Sequence, residues 1–151
     1  MDKLKVLKKS DIFHHLDENE LKVVEKMCTV EVFKPGDIIF RQDGEADKVY
    51  VIEEGLVSLC LELGPTDKRQ IQAASNFECF GWAAMIPPFH RLNMAKAIER
   101  TTVLVFNGKE LRNLIYTNPK LSAEISDGVA YVISLRLKAA FHQLMGYNGQ
   151  D

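Results

Sequence analysis

Between Thr29 and Asn107 the chain alternates between short apolar runs and turn residues. The runs Val30–Phe33, Asp37–Phe40, Lys48–Ile52, Leu56–Leu63, Arg69–Ala73, Ala95–Glu99 and Val103–Asn107 all have strand length. Pro35-Gly36, Asp43-Gly44, Glu54-Gly55 and Gly64-Pro65 punctuate them. Within Leu56–Leu63, Val57, Leu59 and Leu61 alternate with Ser58, Cys60 and Glu62, the period of a strand with two unlike faces. Many short strands with regular turns predict a sandwich or barrel.

Helical patterns flank this region. Asp17 followed by Glu20 is a capping-box pattern that starts a helix at Glu18. Leu21, Val24 and Cys28 form its expected buried stripe. Asn107 with Glu110 opens a second helix, to Tyr116. Asn118 then caps a third, with Pro119 at its first position and Gly146 as the stop after Met145. The pattern predicts one domain over 1–151, with helix and strands over 12–107 and C-terminal helices over 108–145.

The last helix carries two apolar stripes. Leu121, Ile125, Val129, Val132 and Leu135 form one; Ala123, Ala130, Ile133, Leu137, Ala140 and Leu144 keep the three-four spacing of a helix pair. If the first packs on the strands, the second faces water unless a partner covers it. The expectation is a homodimer through Asp127–Leu144; one broad buried face on a single core is the alternative.

Composition narrows the function classes. A formal net charge of −2 gives no global field to recruit nucleic acid or anionic membrane. No apolar run approaches the ~20 residues of a membrane span. The N-terminus is basic without an apolar core, so no signal peptide is read. Cys28, Cys60 and Cys79 are odd in number and unrelated in spacing, which fits reduced thiols and a cytoplasmic location. His14, His15, His90 and His142 make no metal-ligand spacing, and no nucleophile elbow or Walker loop is present. The expectation is therefore a non-enzymatic protein without cofactor or metal.

The stretch Phe80 to Arg91, "FGWAAMIPPFHR", stands apart: a glycine, the chain's single tryptophan, two prolines and then an arginine among apolar neighbours. Upstream lies "FKPGDIIFRQDGEADKVYVIEEGLVSL" (Phe33 to Leu59), with Gly36, Gly44 and Gly55 at turns; downstream lies "AIERTTVLVF" (Ala97 to Phe106). In order and spacing these resemble the cyclic-nucleotide-binding domain family of bacterial catabolite activators and kinase regulatory subunits. The likeness covers Ile12 to Leu144. It implies an eight-stranded β-roll, jelly-roll-like, with N-terminal helices and two C-terminal helices. It also implies that Gly81 to Arg91 is a phosphate cassette. In the family the glycine lets backbone turn close to the ligand, a short helix offers amides to the phosphate, and the arginine pairs with it.

The chain departs from that pattern where a glutamate accepts the ribose 2′-hydroxyl. Trp82 stands there, with one N–H donor and no acceptor. Leu92, Asn93 and Met94 follow Arg91 in place of the family's small and hydroxyl residues. The candidate ligand residues are Gly81, Trp82, Ala83, Ala84, Arg91 and Leu92, with the anion half of the seat kept and the sugar half lost. A buried Arg91 needs a partner: an anion, solvent, or an acid such as Glu78, Glu99 or Glu53. The chain stops where family transcription factors continue into a DNA-binding module, so the expectation is a stand-alone signalling domain taking an anionic or cyclic-nucleotide-like ligand atypically. The competing expectation is a ligand-free interaction module sealed by Trp82.

Overall fold

The computed structural model describes residues 1–146. Its strands are β1 (Cys28–Phe33), β2 (Ile38–Phe40), β3 (Lys48–Glu54), β4 (Val57–Glu62), β5 (Lys68–Ala74), β6 (Cys79–Phe80), β7 (Met94–Ala97) and β8 (Thr101–Asn107). Helices α1 (Lys3–Lys9) and α2 (Glu18–Glu25) precede them, a 3-10 turn (Trp82–Met85) follows β6, and α3 (Gly108–Thr117) and α4 (Pro119–Leu144) follow β8. The strands form two antiparallel four-stranded sheets, ordered β1-β8-β3-β6 and β2-β7-β4-β5. This is the β-roll with flanking helices that the sequence implied. The strand missed by the hydrophobic pattern is β6, whose two residues pair with Tyr50 and Val51. α1 was also unmarked by its pattern, since a seven-residue helix burying only Val6 and Leu7 has too short a stripe to read.

Strand period two divides the apolar residues between two cores. From β3, Val49 and Val51 pack beneath the helices, whereas Tyr50 and Ile52 face the roll interior. From β8, Leu104 and Phe106 join the helical side and Val103 and Val105 the interior. On the helical side Phe13 meets Phe106 with ring centroids 5.3 Å apart.

Local signals set the helix starts. The Asp17 carboxylate accepts from the Glu20 amide at 2.8 Å, and the Glu20 carboxylate accepts from the Asp17 amide at 3.0 Å. Leu21 and Val24 are buried as expected, but Cys28 belongs to β1 and not to the helix, because the chain leaves α2 at Lys26. Asn107 caps α3 through the Lys109 and Glu110 amides, and Asn118 caps α4 through that of Leu121.

Leu121, Ile125, Val129 and Val132 of α4 are buried, so the first stripe docks on the core. Gly128 makes that approach possible: a Cβ there would lie 2.1 Å from the Ile12 carbonyl oxygen. Leu135 departs from the expectation and is 44% exposed, because the helix has run past the core by then. The second stripe is open, with Leu137 51% and Leu144 83% exposed. Arg136 ties the distal helix back to the roll, donating to the carbonyls of Ala73 (3.3 Å) and Cys79 (3.0 Å). No helix among the described residues is long and apolar enough to cross a membrane.

Candidate functional site

The turn after β6 begins at Gly81, whose φ of 77° is the left-handed conformation that favours glycine. Space demands it as well: a Cβ at this position would come within 3.0 Å of both Arg91 Nη1 and the Tyr50 ring. The glycine therefore lets the backbone approach Arg91, whereas the resemblance implied an approach to the ligand.

Arg91 is 2% exposed. Its Nη1 donates to the Gly81 carbonyl and its Nη2 to the Lys48 carbonyl, each at 2.8 Å. The guanidinium carbon sits 4.0 Å from the Phe40 ring centroid. The nearest carboxylate is that of Asp47, at 4.0 Å and largely in solvent, so it adds little. None of Glu78, Glu99 or Glu53 serves as the partner; Glu78 lies 3.9 Å from Arg136 instead. Arg91 Nε is buried and has no hydrogen-bond partner. Burial pulls the guanidinium pKa down from its ordinary value, with Tyr50 and Asp47 opposing; arginine remains a cation at neutral pH all the same.

Phe40, Leu59, Phe80, Gly81, Trp82, Ala83, Arg91, Leu92 and Asn93 enclose a cleft of about 20 Å³. That is room for a single water molecule. Behind it Tyr50 and Phe80 stack at 4.8 Å and 8°, and Phe40 packs 6.2 Å from each. Burial pushes the Tyr50 phenol up to about 12, so it stays neutral over the physiological range. Arg91 is the one charged residue in the lining of the cleft, whose other walls are mainly aromatic and aliphatic.

Five of the six expected residues come together here. Half-buried Trp82 lines the cleft and packs on the helical-side core. Leu92, 60% exposed, stands at the rim. Ala84 is the exception. It is fully buried away from the cleft, and its amide donates to the Gly81 carbonyl at 3.3 Å within the turn. Its carbonyl accepts from Arg112 Nη1 of α3, whose guanidinium carbon sits 4.1 Å from the Phe89 ring centroid. Met94 is buried on β7 and does not line the cleft.

Sequence reasoning missed Phe40 and Leu59, which carried only a strand signal, and Phe80, which opens the singled-out stretch but was not among the candidate ligand residues. It missed the Lys48 carbonyl, since main-chain acceptors leave no mark in side-chain identity. Among the described residues no group of three His, Cys, Asp or Glu could hold a metal.

Comparison with known proteins places the chain in a family. The family model for the cyclic nucleotide-binding domain matches residues 30–118, and the chain belongs to that family. Among curated proteins it is similar to a protein of Rhodopseudomonas palustris provisionally named a potassium channel, 30% identical over 76% of this chain and 27% of that one. It is also similar to the cAMP-dependent protein kinase regulatory subunit of Dictyostelium discoideum, 29% identical over 69% of this chain and 32% of that one. The chain thus spans about a third or less of these relatives. Among solved structures it resembles a provisionally named cyclic nucleotide-binding protein of Geobacter metallireducens, with TM-score 0.80, 25% identity, and coverage of 91% of this chain and 99% of that one. The catabolite activator protein of Thermus thermophilus shares the fold, with TM-score 0.74 and 22% identity over 89% of this chain and 62% of that one.

Proposed function

We propose that this is a non-enzymatic, cytosolic regulatory domain that takes a phosphate-bearing or other anionic small ligand atypically at the Gly81–Arg91 cleft. The observation that carries this reading is Arg91: fully desolvated, on the cleft wall, with a buried Nε that has no partner. An unsatisfied donor on a buried cation is costly to keep, and an anion would satisfy it. Trp82 stands where the family's ribose-binding carboxylate belongs, so ordinary cyclic AMP should bind poorly. Loss of that acceptor costs roughly 1–3 kcal/mol, about ten- to hundredfold in affinity. The open part of the second α4 stripe, Leu137 and Leu144, favours pairing with a second copy.

One observation favours a second reading, a sealed interaction module. Both terminal nitrogens of Arg91 are already bonded to carbonyls, and the cleft is only about 20 Å³.

Calorimetry with cyclic AMP and cyclic GMP separates the two. Trp82→Glu restores the missing acceptor and should gain measurable affinity, and adding Arg91→Ala should remove it again. Micromolar or tighter binding by the wild-type protein contradicts the atypical site. A folded Trp82→Glu that binds neither nucleotide leaves the sealed module in its place.

A further inference from the structure

The 3-10 turn Trp82–Met85 is gripped at both ends by guanidinium groups. Arg91 holds the carbonyl of Gly81, just before the turn, at 2.8 Å. Arg112, from α3, donates to the carbonyl of Ala84 within it. The Arg112 guanidinium carbon also sits over Phe89, 4.1 Å from the ring centroid. Phe89 has a φ of 61°, and its carbonyl accepts from the Ala46 amide at 2.7 Å. Arg112 therefore pins both the turn and the loop that leads to Arg91. The fit beside it is close: a Cβ on Gly108, at the start of α3, would come 3.0 Å from the Ala84 Cβ. Only one of these two arginines reaches the cleft. Arg112 does not line it, and lies in a separate groove of about 310 Å³ with Met85, Ile86 and Tyr116.

Resting on the ligand reading above, we infer that Arg112 is a positioning residue that holds the turn closed over the cleft and so sets how readily any ligand is admitted. A ligand larger than a space of about 20 Å³ needs part of the lining to move, and the Trp82–Met85 turn supplies Trp82 and Ala83 of it. Movement of the turn breaks the Arg112–Ala84 bond or drags α3 with it. A bond made only in the closed state lowers the population of the open one, and apparent affinity falls by that same fraction.

The chain's single tryptophan lies in the turn, so the clamp can be tested without any ligand. In Arg112→Ala, amide hydrogen exchange over 82–86 should quicken about tenfold, the effect of losing one charge-assisted hydrogen bond. Trp82 fluorescence should become more accessible to acrylamide while thermal unfolding stays cooperative. Arg112→Lys keeps a donor for Ala84 but loses the guanidinium over Phe89, and should fall between the two. If Arg112→Ala does not fold, Phe89→Leu removes the ring contact alone and should loosen the turn less. Unchanged exchange and quenching in a folded Arg112→Ala overturn the clamp, whatever binds. In the Trp82→Glu background, Arg112→Ala should raise cyclic AMP affinity about tenfold. A loosened turn with unchanged affinity in a binding-competent Trp82→Glu overturns the control of uptake. A loosened turn with no cyclic AMP uptake by any variant upholds the clamp and removes the ligand reading instead.

Discussion

The two cores share strands β3 and β8 but differ in chemistry. Beneath the helices, Leu7, Ile12, Phe13, Leu104, Phe106 and Ile125 are all fully buried. The one fully buried serine near them is satisfied: Ser10 Oγ donates to the Leu7 carbonyl at 2.8 Å and accepts from the Phe13 amide at 3.1 Å. Inside the roll the neighbours of the aliphatic residues are a phenol, stacked phenyl rings and, at the mouth, a desolvated cation with an unsatisfied nitrogen. One strand supplies both sides by turning alternate side chains each way. The comparison teaches that both sides carry a polar cost but of opposite sign: on the helical side in the carboxyls of Asp11 and Glu124 at its margin, on the roll side in a cation at its mouth.

Substitutions can break this contrast, and the largest effect belongs to the helical side. Phe106→Ala removes a fully buried ring tilted against Phe13 and should lower unfolding stability by about 3–5 kcal/mol in denaturant titrations. A cost under about 1 kcal/mol would mean that this core is not where stability resides.

Next comes Asp11, which borders the helical-side core and accepts from the Cys79 amide at 2.9 Å. Burial pushes its carboxyl up to about 6 from an ordinary 3.8, with Arg136 opposing and Glu78 reinforcing. The folded state therefore holds a proton that the unfolded chain has released. The associated stability is present below about pH 4 and is lost as pH rises to about 6. Asp11→Asn keeps an acceptor for Cys79. It should exceed wild type by about 2 kcal/mol at pH 7, discounted for partial exposure, with the gap closing by pH 4. A pH-independent difference between the two proteins contradicts the assignment.

Inside the roll, Phe40→Leu loses an aromatic stack and a cation–π contact but keeps apolar volume. Its stability cost should be only about 1 kcal/mol, yet the Arg91 environment should change, visible as a shift of the guanidinium resonances in NMR spectra. The smallest effect on unfolding falls on the open stripe of α4. Leu137→Asp should change stability by less than about 0.5 kcal/mol and convert a sedimenting dimer into a monomer. Wild-type protein that is already monomeric at high micromolar concentration removes the pairing expectation.

What was legible in the sequence follows the same division. Alternation marked the longer strands, and flanking turn residues marked the rest of the seven read, such as three-residue β2 between Pro35-Gly36 and Asp43-Gly44. β6, with only Cys79 and Phe80, went unread. Capping residues Asp17, Asn107 and Asn118 located three helix starts because their chemistry is local. The glycine and arginine of the cassette were legible as a pair ten residues apart. Their actual bonding was not, since Arg91 is held by the main chain of Gly81 and Lys48 and not by an acid. Long-range placement also hid the removal of Ala84 from the cleft, because its neighbours Gly108 and Arg112 come from α3.

The carbonyl bonds of Arg91 carry a consequence in time. An anion arriving at this cleft meets a guanidinium whose two terminal nitrogens are already engaged. If the proposed anion takes those nitrogens and not Nε, release of their bonds is a first-order event that has to precede capture. With such an ordering, the observed rate rises with ligand at low concentration and then levels off at the rate of release. Association should accordingly fall below the 10⁵–10⁷ M⁻¹s⁻¹ typical of preformed sites. Stopped-flow traces of Trp82 emission test for such a step: a plateau shows a first-order event on the path, and a rate that climbs linearly without limit shows that release of the arginine does not limit uptake.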